Sequence, residues 1–283
     1  MEEAIKKADV LIEALPYIKK FHKKLIVIKY GGSILGEERV RKSVLEDIAF
    51  LRYTGIRPIL VHGGGPQISE RLKELRVPSQ FVEGMRVTDS FTLKIVEEEL
   101  NKLNDLIVKE ISSHGIKAIG FKREDKILKV RKKKGKKDLG FVGEVIDFDK
   151  EKILSSSQEA LPVICPMGVS SEGEVYNINA DEAAFFLVTH LPSEKIVFLT
   201  NVLGVMRDPH DESSLISTLS VEEAKRLIKD KVIDEGMVPK VKAAIEAIEK
   251  GVKKAHIIDA KIPHALLLEI FTDEGVGTEI INE

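Results

Sequence analysis

The sequence predicts an α/β protein: a three-layer sandwich with a mainly parallel central sheet, two lobes around a cleft, and an extra N-terminal helix. Three observations predict it. Unbroken runs of Val, Ile and Leu, as in LIVIKY (25–30) and PILVHGGG (58–65), fit strands buried on both faces. Helical stretches separate these runs, and β and α alternating at that spacing build a parallel sheet covered by helices. The chain has 283 residues, 43% apolar and 32% charged, enough for a large core under a charged surface.

Residues 3–22 place Ile5, Ala8, Leu11, Ile12, Leu15, Ile18 and Phe21 at helical spacing, with Pro16 expected to bend the helix. This stripe either docks on its own domain or meets another chain. The strand 25–30 follows, then a helix near 37–54, the strand into HGGG, and a helix near 66–75. A long helix fits 89–114 and ends at Gly115, a good left-handed cap. Residues 116–149 hold short alternating runs with Gly135, Gly140 and Gly143, and read as antiparallel hairpins added to the sheet. The pattern restarts with LPVICPMGV, YNINADEAAFFLVTHL and KIVFLTNVLGVMRD. Two helices (VEEAKRLIKDKVI and GMVPKVKAAIEAIEKGV) and a last central strand, AHIID, complete it. Dense glycine and apolar patterning around 25–65 and again around 162–205 suggests two lobes. The division is an oligomerisation helix (1–22), a first lobe (23–175) and a second (176–283), sharing one continuous sheet.

Net charge is −2, which gives no overall pull toward nucleic acid or acidic membranes. The cluster KVRKKKGKK is the one candidate nucleic-acid patch, but no aromatic is interleaved for stacking, and it reads as a solvated loop. No apolar segment approaches the roughly 20 residues of a membrane span, and the N-terminus lacks a signal-peptide core. A soluble, cytoplasmic protein with neither nucleic acid nor membrane as partner is expected. Cys165 is the only cysteine and reads as a core thiol.

The chemistry concentrates in a few places. A lysine closing an apolar strand needs an anion, so Lys29, with Gly31 and Gly32 baring the backbone beside it, points to an anionic ligand. Gly63, Gly64 and Gly65 lead into a helix with Pro66 in its first turn, a place for a carboxylate or phosphate or simply a tightly packed turn. His62 beside them reads as a hydrogen-bonded structural residue. Arg86 suits a bidentate grip on a carboxylate, or pairs with Asp89 or Glu83. Asn177 and Asn179 offer amides to a ligand, and Asp181 is either a helix N-cap or the organiser of nearby lysines. Lys240, one turn beyond Gly236, is a second cation or a solvated one. No Ser-His-Asp order, Cys-His pair or metal cluster competes. Taken together the kit suits phosphoryl transfer by positioning and charge neutralisation.

The motifs IKYGGS, VHGGGPQI, GMRVTD, YNINADEAA, LTNVLGV, GMVPKV and HALLLEIFTDEGVGT occur in this order over nearly the whole chain. In this it resembles the amino acid kinase family, and within it the branch that acts on N-acetyl-L-glutamate. The resemblance implies transfer of the γ-phosphoryl of ATP, with Mg²⁺, to the γ-carboxylate of N-acetyl-L-glutamate, giving N-acetyl-L-glutamyl 5-phosphate in the second step of arginine synthesis. It implies that Lys29 and Lys240 stabilise the transferring phosphoryl group and that Asp181 orients both. Gly31 and Gly32 would line the phosphate loop, with Asn201 near the nucleotide. Gly64, Gly65, Arg86, Asn177 and, more weakly, Asn179 would hold the acyl-glutamate. The terminal segments resemble an arginine-inhibited subgroup in which the N-terminal helix interlaces dimers into a hexamer. That likeness implies an L-arginine site at Tyr17, His256, Glu269 and Gly275. Asn201 stands where the family usually has aspartate, Asn104–Asp105 where Asn-Lys is usual, and Ala260–Lys261 where glycine is common. Two alternatives remain at this stage: a related kinase acting on another carboxylate, and a non-catalytic arginine sensor or scaffold.

Overall fold

The computed structural model describes residues 1–82, 84–135, 137–233, 237–272 and 275–283, with the backbone alone for residues 2–4, 6, 7 and 10. Glu83 and Gly236, both named above, lie outside the described residues. The chain opens with α1 (Glu2–Phe21), β1 (Leu25–Tyr30), the short α2 (Gly32–Leu35), α3 (Glu38–Tyr53), β2 (Arg57–His62) and α4 (Gly65–Glu74). A small hairpin of β3 (Phe81–Val82) and β4 (Met85–Arg86) precedes α5 (Ser90–Ser113). Next come β5 (Ala118–Phe121), β6 (Leu128–Lys132), β7 (Val142–Phe148), α6 (Lys150–Glu159), β8 (Leu161–Ile164), β9 (Met167–Val169) and β10 (Val175–Ile178). The last stretch holds α7 (Ala180–His190), β11 (Ser193–Thr200), β12 (Thr218–Ser220), α8 (Val221–Lys229), α9 (Val238–Glu249), β13 (Lys254–Asp259), α10 (Ala265–Phe271) and β14 (Thr278–Ile281).

Eight strands form one sheet in the order β12-β14-β13-β11-β1-β2-β8-β5. Neighbours are parallel throughout except for β13 against β14. β1 lies near the middle and is buried along its whole length. Because successive side chains of a strand alternate faces, its residues divide between two cores. Leu25 and Val27 join the core under α7, α8 and α9, while Ile26, Ile28 and Tyr30 join the core under α3, α5 and α10. Lys29 therefore projects on the α7 face.

Two expectations are corrected. Only β5 of the 116–149 region joins the sheet; β6 and β7 close with β9 and β10 into a separate small barrel. Closure depends on glycine: a Cβ at Gly168 would meet Val130 Cγ1 at 2.3 Å and the Leu128 carbonyl oxygen at 2.9 Å. AHIID is β13 but not the last strand, since β14 returns antiparallel beside it. Part of the basic cluster is ion-paired: Lys129 with Asp147, Arg131 with Glu144, Lys132 with Asp138 and Lys133 with Glu182. Burial raises the Cys165 thiol well above its ordinary range, as fits a core residue. Among the described residues no helix is long and apolar enough to cross a membrane.

α1 continues through Pro16, and part of its stripe docks on its own chain. Phe21 is buried, and Ala14, Tyr17 and Ile18 pack on the core, while Ile5, Leu11, Ile12 and Leu15 remain exposed. At the other end of the chain, α10 starts from His264 in the left-handed conformation. Its first turn is held from α3 by Asp47, 1% exposed, whose carboxylate accepts from His264 Nδ1 at 2.6 Å and from the Leu266 N–H. Burial pushes the Asp47 carboxyl up to about 6, against the pull of His264. A raised folded-state value means that folding favours the protonated form. The contribution is thus full at low pH and fades as pH rises through about 6, and the raised His264 changes stability in the same sense. Asp47→Asn should therefore gain melting temperature relative to the parent, by roughly 4 °C, between about pH 4 and pH 8. Parallel thermal melts across that range check it.

Candidate active site

Lys29 is 8% exposed, and its Nζ lies 2.7 Å from Asp181 Oδ1. Asp181 sits in the first turn of α7, whose N-cap is Asn179: its Oδ1 accepts from the N–H groups of Asp181 (2.8 Å) and Glu182 (3.3 Å). The Asp181 carboxylate is thereby free to face the lysine. Burial alone would raise it, yet the ammonium groups of Lys29 and Lys240 together hold it below the usual carboxylate range. Lys240 belongs to the first turn of α9, so α7 and α9 bring the second cation to the same carboxylate as the β1 lysine.

The backbone beside Lys29 is bare. A Cβ at Gly32 would lie 2.7 Å from the Gly64 nitrogen and 3.0 Å from that of Gly65, and one at Gly63 would lie 2.8 Å from the Gly32 nitrogen. Only glycine lets these two loops approach so closely. The N–H groups of Gly32, Gly64 and Gly65 make no backbone hydrogen bond among the described residues, and the latter two open α4. Such unpaired donors at a helix start attract anions. Gly31 instead donates to the Leu199 carbonyl at 3.0 Å.

Arg86 is buried across the cavity from Lys29. It donates to Ser79, to Ser69 Oγ at 2.7 Å and to the Gly65 carbonyl at 3.0 Å, with its guanidinium 4.6 Å from the Phe81 ring centroid. No described carboxylate pairs with it; Asp89 caps α5 through the Thr92 N–H. Three of its five N–H bonds are taken, which leaves the Nε–H and one Nη1–H, on different edges of the guanidinium, without a partner among the described residues. Asn177 on β10 completes this side, its Nδ2 3.5 Å from Thr88 Oγ1. Lys29, Gly32, Gly64, Gly65, Arg86, Asn177, Asn179 and Asp181 all line one cavity of about 340 Å³. Asn201 and Lys240 line a neighbouring one of about 310 Å³ with apolar walls from Val205, Met206, Ile233 and Met237.

A third cavity, about 280 Å³, lies between α1 and the β11–β13–β14 edge, and Tyr17, His256, Glu269 and Gly275 all line it. His256 Nδ1 lies 2.5 Å from Glu269 Oε1, and the Val276 N–H donates to Glu269 Oε2 at 2.8 Å. Burial lowers His256 despite the carboxylate, so a neutral imidazole donates to an ionised Glu269. Burial works against that charge, but the His256 and Val276 donors hold Glu269 below its ordinary value.

Sequence reasoning missed several contributors. Ser69, Ser79 and Phe81 hold Arg86 but carry no motif of their own. Lys195, also in the third cavity, is buried with Nζ 4.6 Å from the Phe21 ring centroid and no described carboxylate partner. Burial, aided by Lys254, pulls it down to about 8. A lysine opening the apolar run KIVFLT was the available sign.

Comparison with known proteins adds to this geometry. Residues 24–259 match the amino acid kinase family. The acetylglutamate kinase of Aquifex aeolicus is 46% identical over 301 aligned positions, and that of Desulforamulus reducens 44% over 287, each alignment covering 100% of both chains. Among solved structures, N-acetylglutamate synthase from Neisseria gonorrhoeae, complexed with coenzyme A and N-acetyl-glutamate, superposes with a TM-score of 0.88 at 24% identity. It covers 98% of this chain and 63% of its own. The same synthase with coenzyme A and L-arginine gives 0.85 at 23%, with 98% and 65% coverage. At that identity the likeness speaks for the fold alone.

Proposed function

The chain belongs to the amino acid kinase family, as an enzyme of the acetylglutamate kinase type, and we propose a mechanism and a regulation for it. It transfers the γ-phosphoryl of ATP to the γ-carboxylate of N-acetyl-L-glutamate, in the second step of arginine synthesis, under feedback inhibition by L-arginine. The observation that carries the mechanism is Asp181 paired with Lys29 and near enough to Lys240 for both ammonium charges to act on its carboxylate. The reaction draws on cytoplasmic ATP.

Full-length likeness to acetylglutamate kinases supports the substrate, and the cavity chemistry agrees with it. Arg86 holds the α-carboxylate by its charge and one remaining N–H, and Asn177 and the backbone of Gly64 and Gly65 fix the rest. The γ-carboxylate is already ionised at neutral pH, so no general base is needed. Its oxygen attacks the γ-phosphorus, the bond from that phosphorus to the β–γ bridging oxygen breaks, and ADP leaves with the electron pair. Lys29 and Lys240 suppress the repulsion between the two anions, and the N–H groups of Gly32, Gly64 and Gly65 face the charge that develops. The nucleotide lies along Gly31 and Gly32, its base among Val205, Met206 and Met237, with Asn201 at the edge. Among the described residues no cluster of three acidic, His or Cys side chains could cage a metal. Asp181 is the acidic side chain of the site and is engaged with lysine, so this donor set fits a Mg²⁺ brought in on the phosphates, where it screens their charge.

The third cavity matches an amino acid with a cationic side chain: a buried carboxylate, Glu269, at one place and a buried ammonium, Lys195, at another. α1 forms one of its walls through Tyr17 and Phe21. The exposed Leu11 and Ile12 of that helix bury against a second copy, linking dimers into a hexamer, and effector binding is read out through the helix.

Turnover should occur with N-acetyl-L-glutamate and be at least about 100-fold weaker with glutamate, aspartate, carbamate or UMP. An ATP-consumption assay with each acceptor checks this, and turnover only with another acceptor would refute the substrate. Removing residues 1–20 should leave dimers and abolish arginine inhibition while sparing turnover. Sedimentation and inhibition curves of the truncated chain decide it.

A further inference from the structure

His62 is fully buried behind the glycine loop and does not line the acyl-substrate cavity. Its Nδ1 lies 2.9 Å from the Gly63 carbonyl oxygen, and its Nε2 lies 3.2 Å from Nδ2 of Asn104 on α5. The same Nδ2 donates to the Val163 carbonyl of β8 at 3.1 Å. Two of these partners can only accept. The Val163 oxygen requires the amide nitrogen of Asn104, so the amide also presents N–H to His62, whose Nε2 must accept. The Gly63 oxygen requires a donor, so the proton sits on Nδ1. Both ends of the imidazole are fixed by groups that cannot change role.

We propose that His62, locked by Asn104 as the neutral Nδ1–H tautomer, is a positioning residue that aims the Gly64 N–H into the acyl-substrate cavity. A trans peptide is a rigid plane whose C=O and following N–H point in opposite directions. The Gly63 oxygen and the Gly64 nitrogen belong to one such plane, and there are no cis peptide bonds among the described residues. Holding the oxygen back toward His62 therefore turns the nitrogen forward. The Gly64 N–H has no acceptor among the described residues, as expected of a donor kept for a ligand. With no Cβ on Gly63 or Gly64 the plane could otherwise rotate at little cost. Packing confines it from α5, where a Cβ at Gly64 would lie 2.6 Å from Leu100 Cδ2 and 3.0 Å from Leu103 Cδ1. Leu100, Leu103 and Asn104 share one face of that helix, so a single element supplies both the wall and the lock.

The inference rests on the proposed acyl-glutamate reading for its kinetic arm only. His62→Leu should raise KM for N-acetyl-L-glutamate about tenfold while KM for ATP stays within about twofold. His62→Asn, whose amide nitrogen can take the place of Nδ1, should restore most of the loss; Asn104→Leu, which frees the tautomer, should fall between. Equal losses in His62→Leu and His62→Asn, or parallel shifts in both KM values, would assign His62 to packing and overturn the proposal. ¹⁵N NMR of the parent protein without substrate is independent of the reaction and of how the variants fold. It should show a protonated Nδ1 and a bare Nε2 unchanged between roughly pH 6 and pH 9; a protonated Nε2 would overturn it. Failure of the parent to turn over N-acetyl-L-glutamate would instead count against the substrate and leave the tautomer result standing.

Discussion

The structure of the cleft depends on one constraint: two ammonium groups that repel each other both lie within the field of a single carboxylate. Unit charges about 4 Å apart interact by roughly 4 kcal/mol at the effective dielectric of a protein surface. Lys29 and Lys240 come from opposite parts of the chain, and Asp181 lets them coexist before any nucleotide arrives. Two positive charges and one negative leave the group at +1, an excess that phosphate can satisfy. Each member is set by local rules. Alternation along β1 turns Lys29 toward α7, Asn179 caps that helix so that Asp181 is free, and the first turn of α9 delivers Lys240.

The same framework connects the cleft to the third cavity. β11 begins beside Lys195, which lines the α1 cavity, and ends just before Asn201, which lines the apolar cavity near Lys240. Its parallel neighbours β1 and β13 carry Lys29 and His256 respectively. At about 3.3 Å per residue the two cavities are some 20 Å apart along one strand. Central strands thus run from one cavity to the other, and a helix walls one of them.

Much of this was legible in the sequence because burial imposes strict demands. A lysine in an apolar strand must find an anion, and the glycines just after it must serve close approach; both expectations identify groups that meet here. What stayed hidden depends on contacts between distant segments. Asn179 and Asp181 are both good N-caps two residues apart, and it is the demand of Lys29 that leaves the cap to Asn179. Closure of the β6–β7 hairpin into a barrel requires Gly168 to meet Val130, which no local pattern announces. β14 is four residues long, and it is pairing with β13 and β12 that makes it a strand. Lys195 carried the same sign as Lys29, but at the start of a strand a lysine reads as solvated.

The central claim is that Asp181 acts through the two lysines and not on either substrate. The most direct measurement is the single-turnover rate of phosphoryl transfer in Asp181→Asn, with both substrates saturating. The rate should fall at least about 100-fold, with KM for ATP and N-acetyl-L-glutamate changed only a few-fold and melting temperature near that of the parent. A rate equal to the parent's would contradict it.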